Sequence, residues 1–522
     1  MTKENSVQQI SSLDVSAGKD GVDRRQLLKG TAAMALAGLG MTSAQSQQGG
    51  SAEVQELGLA GAARAIRNGE ISSESYASTL LARARAHADL KAFITIDEAG
   101  VLEAARAADK ARAAGKSGPL LGVPIGVKDS YFVRGLPATI GTSVLNGYKP
   151  SKDAQVVQTL KDAGAIVFGK NNLVEMSFGL TGHNAHHGQV KNPYNKSHIT
   201  GGSSSGAASS VAARILPAAL GGDTVGSIRL PASLCGVVGF KPSLGRWSLD
   251  GVAPISSTLD VAGVLARSVD DCQLMDAIAT QAATSVPRPA AGLKGVRLAV
   301  APKLFLDEID PTVEKVFKET LYKLKDAGAT IVEVDFGADF RALVEGTTWP
   351  IFFHETMPEV REYLAKNGLP VTFEQIYEGL GSPIKGRWAR FVVPNAPNYF
   401  SDETYKAVME KRRPEVIRRY SQLVFNQADA LLFPTTPCAA PAIDNQWSFM
   451  VAGKQVQDTF LPRNTHIANV ANLPGISLPM GVMSNGLPFG LEIDAATGED
   501  RALLVLASRV EQVLGKIAAP RL

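Results

Sequence analysis

Apolar positions along the chain follow two alternating rhythms. From Gly58 to Asn68 and from Ser72 to Ala88 they recur at the spacing of a helix with one buried face. Gly69 is placed to end the first helix, and Ser72 with Ser73 to cap the second. Lys91 to Asp97 alternates like a strand, the alanine-rich residues 98–115 predict a helix, and Gly122 to Val127 predicts a buried strand ending at Lys128. An amphipathic helix follows at 154–163, stopped at Gly164, with a strand at 165–169. Further on, strands at 296–301 and 330–334 flank a helix at 311–327. This repeating order predicts an α/β chain whose sheet is largely buried beneath helices.

Two stretches break the rhythm. Residues 284–292 are rich in Pro, Ala and Gly and predict a surface connection rather than a domain boundary. Between Trp349 and Phe400 lies a poorly periodic segment holding Trp349, Phe352, Phe353, Phe373, Tyr377, Trp388, Phe391, Tyr399 and Phe400. Such a segment either lines an apolar pocket or forms core beneath loops.

The first fifty residues stand apart. A polar stretch leads to Asp23-Arg24-Arg25-Gln26-Leu27-Leu28-Lys29 and then to a weakly apolar Ala/Gly run from Thr31 to Met41. That run falls short of the ~20 residues needed to span a bilayer. The pattern resembles a twin-arginine export signal, with Thr42-Ser43-Ala44 offering small residues for cleavage. The expected organisation is a leader at 1–50 and a single domain over 51–522. Export implies the periplasm; if the segment is only a basic leader, the protein is cytoplasmic.

Composition narrows the partner. With 53 basic and 50 acidic residues the formal net charge is +3, which offers no electrostatic reason to bind nucleic acid or a membrane surface. Three scattered cysteines, Cys235, Cys272 and Cys438, form neither a disulfide framework nor a metal-ligand spacing and are expected to be small buried hydrophobes.

The chemistry concentrates in Gly201 to Ser210 and Gly221 to Pro231, two Gly/Ser-rich segments. Such bends turn backbone N–H groups inward. At Thr224 to Ser227 the N–H groups can meet the oxygen that becomes negative when an acyl carbon is attacked, an effect worth ~3 kcal/mol per donor. A Walker-type phosphate loop would end in Gly-Lys-Ser/Thr, and neither segment does. A nucleophilic serine needs a base, and histidine is badly placed. His183, His186 and His187 share one polar loop, read as solvated, and the remaining histidines are scattered. Lys128, at the end of an apolar strand, is expected to be desolvated, which lowers its pKa and lets it accept a proton. Standing alone, it would read as a strand-end lysine reaching solvent.

Lys128 does not stand alone. Gly122-Val123-Pro124-Ile125-Gly126-Val127-Lys128-Asp129, then Gly201-Gly202-Ser203-Ser204, then Asp223 through Gly226-Ser227-Ile228-Arg229 and Pro231 resemble the three ordered blocks of the amidase signature family. The likeness continues through Gly239 to Ser243, Asn472 to Ser477 and Gly486 to Pro488, and spans about residues 55–515. It implies a central mixed β-sheet covered on both faces by helices, and amide hydrolysis through a Ser–Ser–Lys triad. In that scheme Ser227 attacks the carbonyl, and Ser203, preceded by a cis peptide bond, relays the proton to Lys128. Backbone N–H groups of Thr224, Val225, Gly226 and Ser227 form the oxyanion hole. Ser204, Asp223 and Arg229 support the loop, the last two as an ion pair. The resemblance implies a small-molecule amide and water as partners, no metal or organic cofactor, no nucleic acid and no stable membrane association after export; homodimerisation stays open. Two positions depart from the family: Ser205 and Val225 stand where glycines are usual, and Val225 should narrow the acyl pocket.

Two competing readings remain. Gly202-Ser203-Ser204-Ser205-Gly206 fits a Gly-x-Ser-x-Gly elbow, with Ser204 as nucleophile and His354 or His466 as base, but residues 191–200 before it are polar and contain Pro193. The second is a non-catalytic relative or a glutaminase-like amidotransferase subunit, against which stand the export signal and the three triad residues. The aromatic stretch points to an aryl or arylalkyl amide, in the style of mandelamide or indoleacetamide hydrolases.

Overall fold

The computed structural model describes residues 54–284 and 292–522. The expected export signal and leader, and most of the Pro/Ala/Gly connection, lie outside the described residues. The described residues form one unit around a continuous apolar core.

In chain order the strands are β1 (Phe93–Ile96), β2 (Pro124–Lys128), β3 (Ile166–Asn171), β4 (Lys191–Asn192), β5 (Asn195–Ile199), β6 (Ala218–Asp223), β7 (Val238–Lys241), β8 (Val261–Ala266), β9 (Arg297–Val300), β10 (Thr330–Glu333), β11 (Ala430–Pro434), β12 (Ser448–Val451), β13 (Lys454–Gln457), β14 (Gly475–Val482) and β15 (Pro488–Asp494). Eleven of them build one sheet in the order β1-β3-β2-β6-β8-β7-β14-β15-β11-β9-β10, while β4/β5 and β12/β13 form separate hairpins. The sheet is mixed: β3, β2 and β6 run parallel, as do β11, β9 and β10, and the strands between them pair antiparallel. β7 and β8 are buried at every position. Because successive side chains point to opposite faces, that pattern requires cover on both. Helices flanking the sheet supply it.

The helices follow the expected caps. Leu59–Asn68 ends on Gly69 at φ 72°, and Ser73–Ala86 begins with the Ser72 side chain accepting from Ser75 N–H. The Lys91–Asp97 alternation becomes β1, an edge strand half-buried throughout and bulged against β3 between Phe93 and Thr95. The helix Pro311–Asp326 links parallel strands β9 and β10.

The aromatic stretch is helical, which its patterning hides. Helices span Phe340–Lys366, Phe373–Gly379 and Ser382–Phe391. The first contains Pro350 and Pro358, and its buried face carries Thr347, Thr348, Glu355 and Thr356 among the apolar residues. The threonines donate to carbonyls one turn back, at 2.6, 3.0 and 2.7 Å. Glu355 accepts from Ser256 Oγ, Thr258 Oγ1 and Tyr405 Oη. Polar residues satisfied in this way can be buried, and they break the apolar period that would reveal the helix.

The helix Ser205–Ala212 is buried along its whole length and packs on β2, β3 and β6. Gly206 permits the approach: its N–H donates to Asn172 O at 2.8 Å, and a Cβ there would collide with Ala92 O and lie 2.6 Å from Asn172 N and O. Gly206→Ala is therefore expected to lower the unfolding free energy by about 1–3 kcal/mol in chemical denaturation.

Candidate active site

Parallel pairing of β2 with β6, in register at Val127 and Leu220, brings the ends of both strands to one edge of the sheet. β2 ends at Lys128 and β6 at Asp223, from which residues 224–228 turn into the helix Arg229–Cys235. The segment before Ser205–Ala212 delivers Ser203 to the same place, and the Gly202–Ser203 peptide bond is cis. Lys128 and Ser203 are both buried, with Nζ 2.8 Å from Oγ. Burial pushes the Lys128 ammonium down to about 7, against the upward pull of the Asp260 and Asp223 carboxylates. Near neutral pH the amine is thus available to accept the Ser203 proton.

Ser227 lies on the turn, 3 % exposed. Its carbonyl accepts from Ser204 N–H at 3.2 Å. Its hydroxyl makes no hydrogen bond to Ser203 or to any other group among the described residues, so only the Lys128–Ser203 half of the expected triad is hydrogen-bonded here. Ser204 Oγ is taken up by the backbone of Gly222, 3.1 Å from its carbonyl and 3.2 Å from its N–H.

Asp223 organises the turn. Oδ1 accepts from Gly226 N–H at 2.8 Å and Oδ2 from Ile228 N–H at 3.1 Å, while Arg229 Nε and Nη2 each donate to the carboxylate at 3.1 Å. Burial alone would raise the Asp223 carboxyl, but the Arg229 charge and hydrogen bonds hold it down at about 2. In this geometry one of the four expected oxyanion-hole donors already has an acceptor. Gly226 N–H is committed to Asp223, and the residue, at φ 128°, turns its missing Cβ toward Thr465. The N–H groups of Thr224, Val225 and Ser227 donate to no group among the described residues, and these three residues line a cavity. Val225 does not take a left-handed conformation, so a side chain is tolerated there, and it forms part of the cavity wall.

Three partners of the turn escaped sequence reading. Arg229 Nη1 donates to Glu492 Oε1 at 2.9 Å, and Nη2 to Thr465 O at 2.8 Å and to Asn469 Oδ1 at 2.7 Å. Asn469 Nδ2 in turn donates to Asp223 O at 3.0 Å. All lie more than 230 residues along the chain from Arg229, and no local pattern marks them.

The cavity at Ser227 measures about 370 Å³. Opposite the polar turn its walls are aromatic: Phe178, Trp349, Phe352, Phe353, Phe391 and Phe400. Five of these belong to the stretch singled out from sequence; Phe373 and Trp388 from the same stretch stack on each other in the core. Phe178, which was not anticipated, follows Met176 and Ser177, both at positive φ. The one cationic residue of the lining, Arg387, is paired with the buried carboxylate of Asp458 at 2.5 Å.

Histidine does not serve the serines. His466 is buried and pushed down to about 3 by desolvation and by Arg341 and Arg229, with Nδ1 2.8 Å from Thr348 Oγ1. His354 Nδ1 lies 3.0 Å from Phe400 O. The elbow reading therefore lacks both a free Ser204 hydroxyl and a base. In the loop expected to be solvated, His186 is exposed with Nε2 3.0 Å from Gly379 O, while His183 packs edge-on against Trp447 and is only half-buried. The three cysteines are buried and free.

Removing the Arg229 charge strands two buried carboxylates. Arg229→Met is expected to cost about 3–5 kcal/mol of unfolding free energy in denaturant titrations, and Arg229→Lys, lacking the planar fork, to recover only part of it.

Comparison with known proteins agrees with this geometry. Residues 76–504 match the family described as Amidase. Mandelamide hydrolase of Pseudomonas putida is 36% identical over 481 residues, covering 89% of this chain and 93% of that protein. Indoleacetamide hydrolase of Agrobacterium vitis is 34% identical over 455 residues, covering 86% and 95%. The structure of native peptide amidase from Stenotrophomonas maltophilia superposes with a TM-score of 0.74 at 28% identity, covering 89% of this chain and 98% of that one. With its strand-end lysine, its serine-bearing turn and these relatives, the chain belongs to the amidase family and hydrolyses amide C–N bonds.

Proposed function

We propose that hydrolysis runs through Ser227 as nucleophile, Ser203 as proton relay and Lys128 as base, on amides whose acyl part carries an aromatic ring. The observation that carries this reading is a buried lysine 2.8 Å from Ser203 beside a turn whose Ser227 opens onto an aromatic cavity. Neutral Lys128 draws the Ser203 proton, Ser203 takes that of Ser227, and Ser227 Oγ bonds to the amide carbon. The N–H groups of Thr224, Val225 and Ser227 face the developing oxyanion. The relay then returns the proton to the leaving nitrogen, the C–N bond breaks, and water repeats the sequence on the acyl-enzyme. The hydrogen bond between the two hydroxyls is made when substrate is bound, as catalytic contacts commonly tighten in the complex.

The cavity supports the aromatic specificity. Its volume falls in the range of small-molecule sites, and an aryl ring buried among six aromatic side chains gains about 3 kcal/mol over a methyl group. Mandelamide and indoleacetamide, in the names of two relatives, are arylalkyl amides. We further propose, from the Arg24-Arg25 leader, that the enzyme is exported to the periplasm. Changing both arginines to lysine should retain it in the cytoplasm; undisturbed periplasmic recovery would remove that reading.

A fluorophosphonate probe followed by peptide mass spectrometry should label Ser227, with labelling lost in Ser227→Ala and strongly slowed in Lys128→Ala; labelling at Ser204 would overturn the assignment. Lys128→Ala should lower kcat about 10²–10⁴-fold at neutral pH. Because the base acts in its neutral form, kcat/KM should fall tenfold per unit below pH about 7 and level off above it. Phenylacetamide should exceed acetamide in kcat/KM by about 100-fold; equal values would sink the aryl specificity.

A further inference from the structure

A second, smaller cavity of about 40 Å³ is walled by Lys128, Gly222, Thr224 and Asp260, and shares Ser177 and Thr224 with the aromatic one. Asp260 immediately precedes β8, and the β6–β8 register pairs Asp223 with Val261. Continuing the antiparallel ladder by one step sets Asp260 across from Thr224, on the turn that carries the nucleophile. The carboxylate is buried. Oδ1 accepts from Thr224 Oγ1 at 2.6 Å, and Oδ2 from the N–H groups of Ile255 at 2.7 Å and Ser256 at 3.0 Å. All three donors are neutral.

The ionisable groups around Asp260 are few. Glu355, whose carboxylate binds Ser256 Oγ and Thr258 from the helix Phe340–Lys366, repels it; the Tyr131 phenol and the Asp223 carboxylate share its surroundings. Lys128 is the cation beside it on the wall of the small cavity, whereas Asp223 is already neutralised by Arg229. Resting on the reading of Lys128 as the base, we propose that Asp260 is a positioning residue for the hydrolysis. Its carboxylate fixes Thr224, one wall of the oxyanion pocket, and supplies the field in which Lys128 exchanges its proton.

The two roles are coupled through one group. A lysine fully desolvated with no carboxylate nearby becomes too weak a base to draw a hydroxyl proton at neutral pH. Asp260 heads the charges that offset desolvation at Lys128. Burial raises the Asp260 carboxyl to about 6 despite its three hydrogen bonds, which leaves it mainly ionised at neutral pH. Protonation would cancel the field and turn the Thr224 contact from acceptor to donor.

The test is the pH profile of kcat/KM for phenylacetamide. In Asp260→Asn the acid limb should move down by about one pH unit and the plateau kcat should fall at least roughly tenfold. A purely structural role would lower the plateau and leave the limb in place. Thr224→Val removes the hydroxyl tie but keeps the carboxylate; it should lower the plateau with the limb at its wild-type position, and Thr224→Ser should restore it. A limb unmoved in Asp260→Asn, or, should that variant not fold, a plateau unchanged in Thr224→Val, overturns the proposal. Full activity in Lys128→Ala would instead bring down the reading on which it rests.

Discussion

A buried guanidinium is tolerable only when its donors are met, and the turn that carries Ser227 is built around one that is. Arg229 is fully buried, and its three nitrogens reach Asp223, Glu492, the Thr465 carbonyl and Asn469. In return Asp223 gathers the N–H groups of Gly226 and Ile228, so the turn's backbone is set by charge-assisted hydrogen bonds rather than by packing. Glu492 ties the arrangement to β15 and Asn469 ties it to the helix His466–Val470. The position of Ser227 thus depends on elements drawn from both halves of the chain.

Lys128 shows the opposite use of burial. Among the described residues no carboxylate forms a salt bridge with its ammonium as Asp223 does with Arg229, so desolvation prevails at the lysine, while the salt bridge prevails at the carboxylate. Two buried cations, one at the end of β2 and one at the start of the helix after β6, therefore differ in character because of what surrounds them: one is locked in its charged form, the other left free to lose its proton. A lysine and an arginine are suited to those two tasks by their intrinsic basicity.

What can be read in the sequence is what the chain encodes locally. The strand ending at Lys128, the Gly/Ser turns, the caps at Ser72 and Gly69 and the β9–helix–β10 order each show in a short window. The three triad candidates carry the marks of ordered blocks, and the structure brings two of them into contact. Glu492, Asn469 and Thr465 could not be read because their importance arises from contacts across more than 230 residues. The partner of Gly226 N–H could not be read for a related reason: a carboxylate three residues earlier competes for it, and residue type does not reveal which acceptor wins. The 340–391 helices were obscured because their buried threonines satisfy themselves on the preceding turn.

That last feature separates two kinds of work along the chain. The base, relay and nucleophile candidates fall between residues 128 and 227, whereas five of the six aromatic side chains lining the cavity at Ser227 come from residues 349–400. The long helix reaches the turn's supports at few places, chiefly where Thr348 and Trp349 meet His466, so the aromatics away from that contact, such as Phe353 and Phe391, can change in size with little effect on the turn or the lysine. Substrate range and reaction chemistry are in this sense inherited separately. A lineage could retune which acyl groups it accepts by drift in one helical segment while leaving the bond-breaking apparatus untouched.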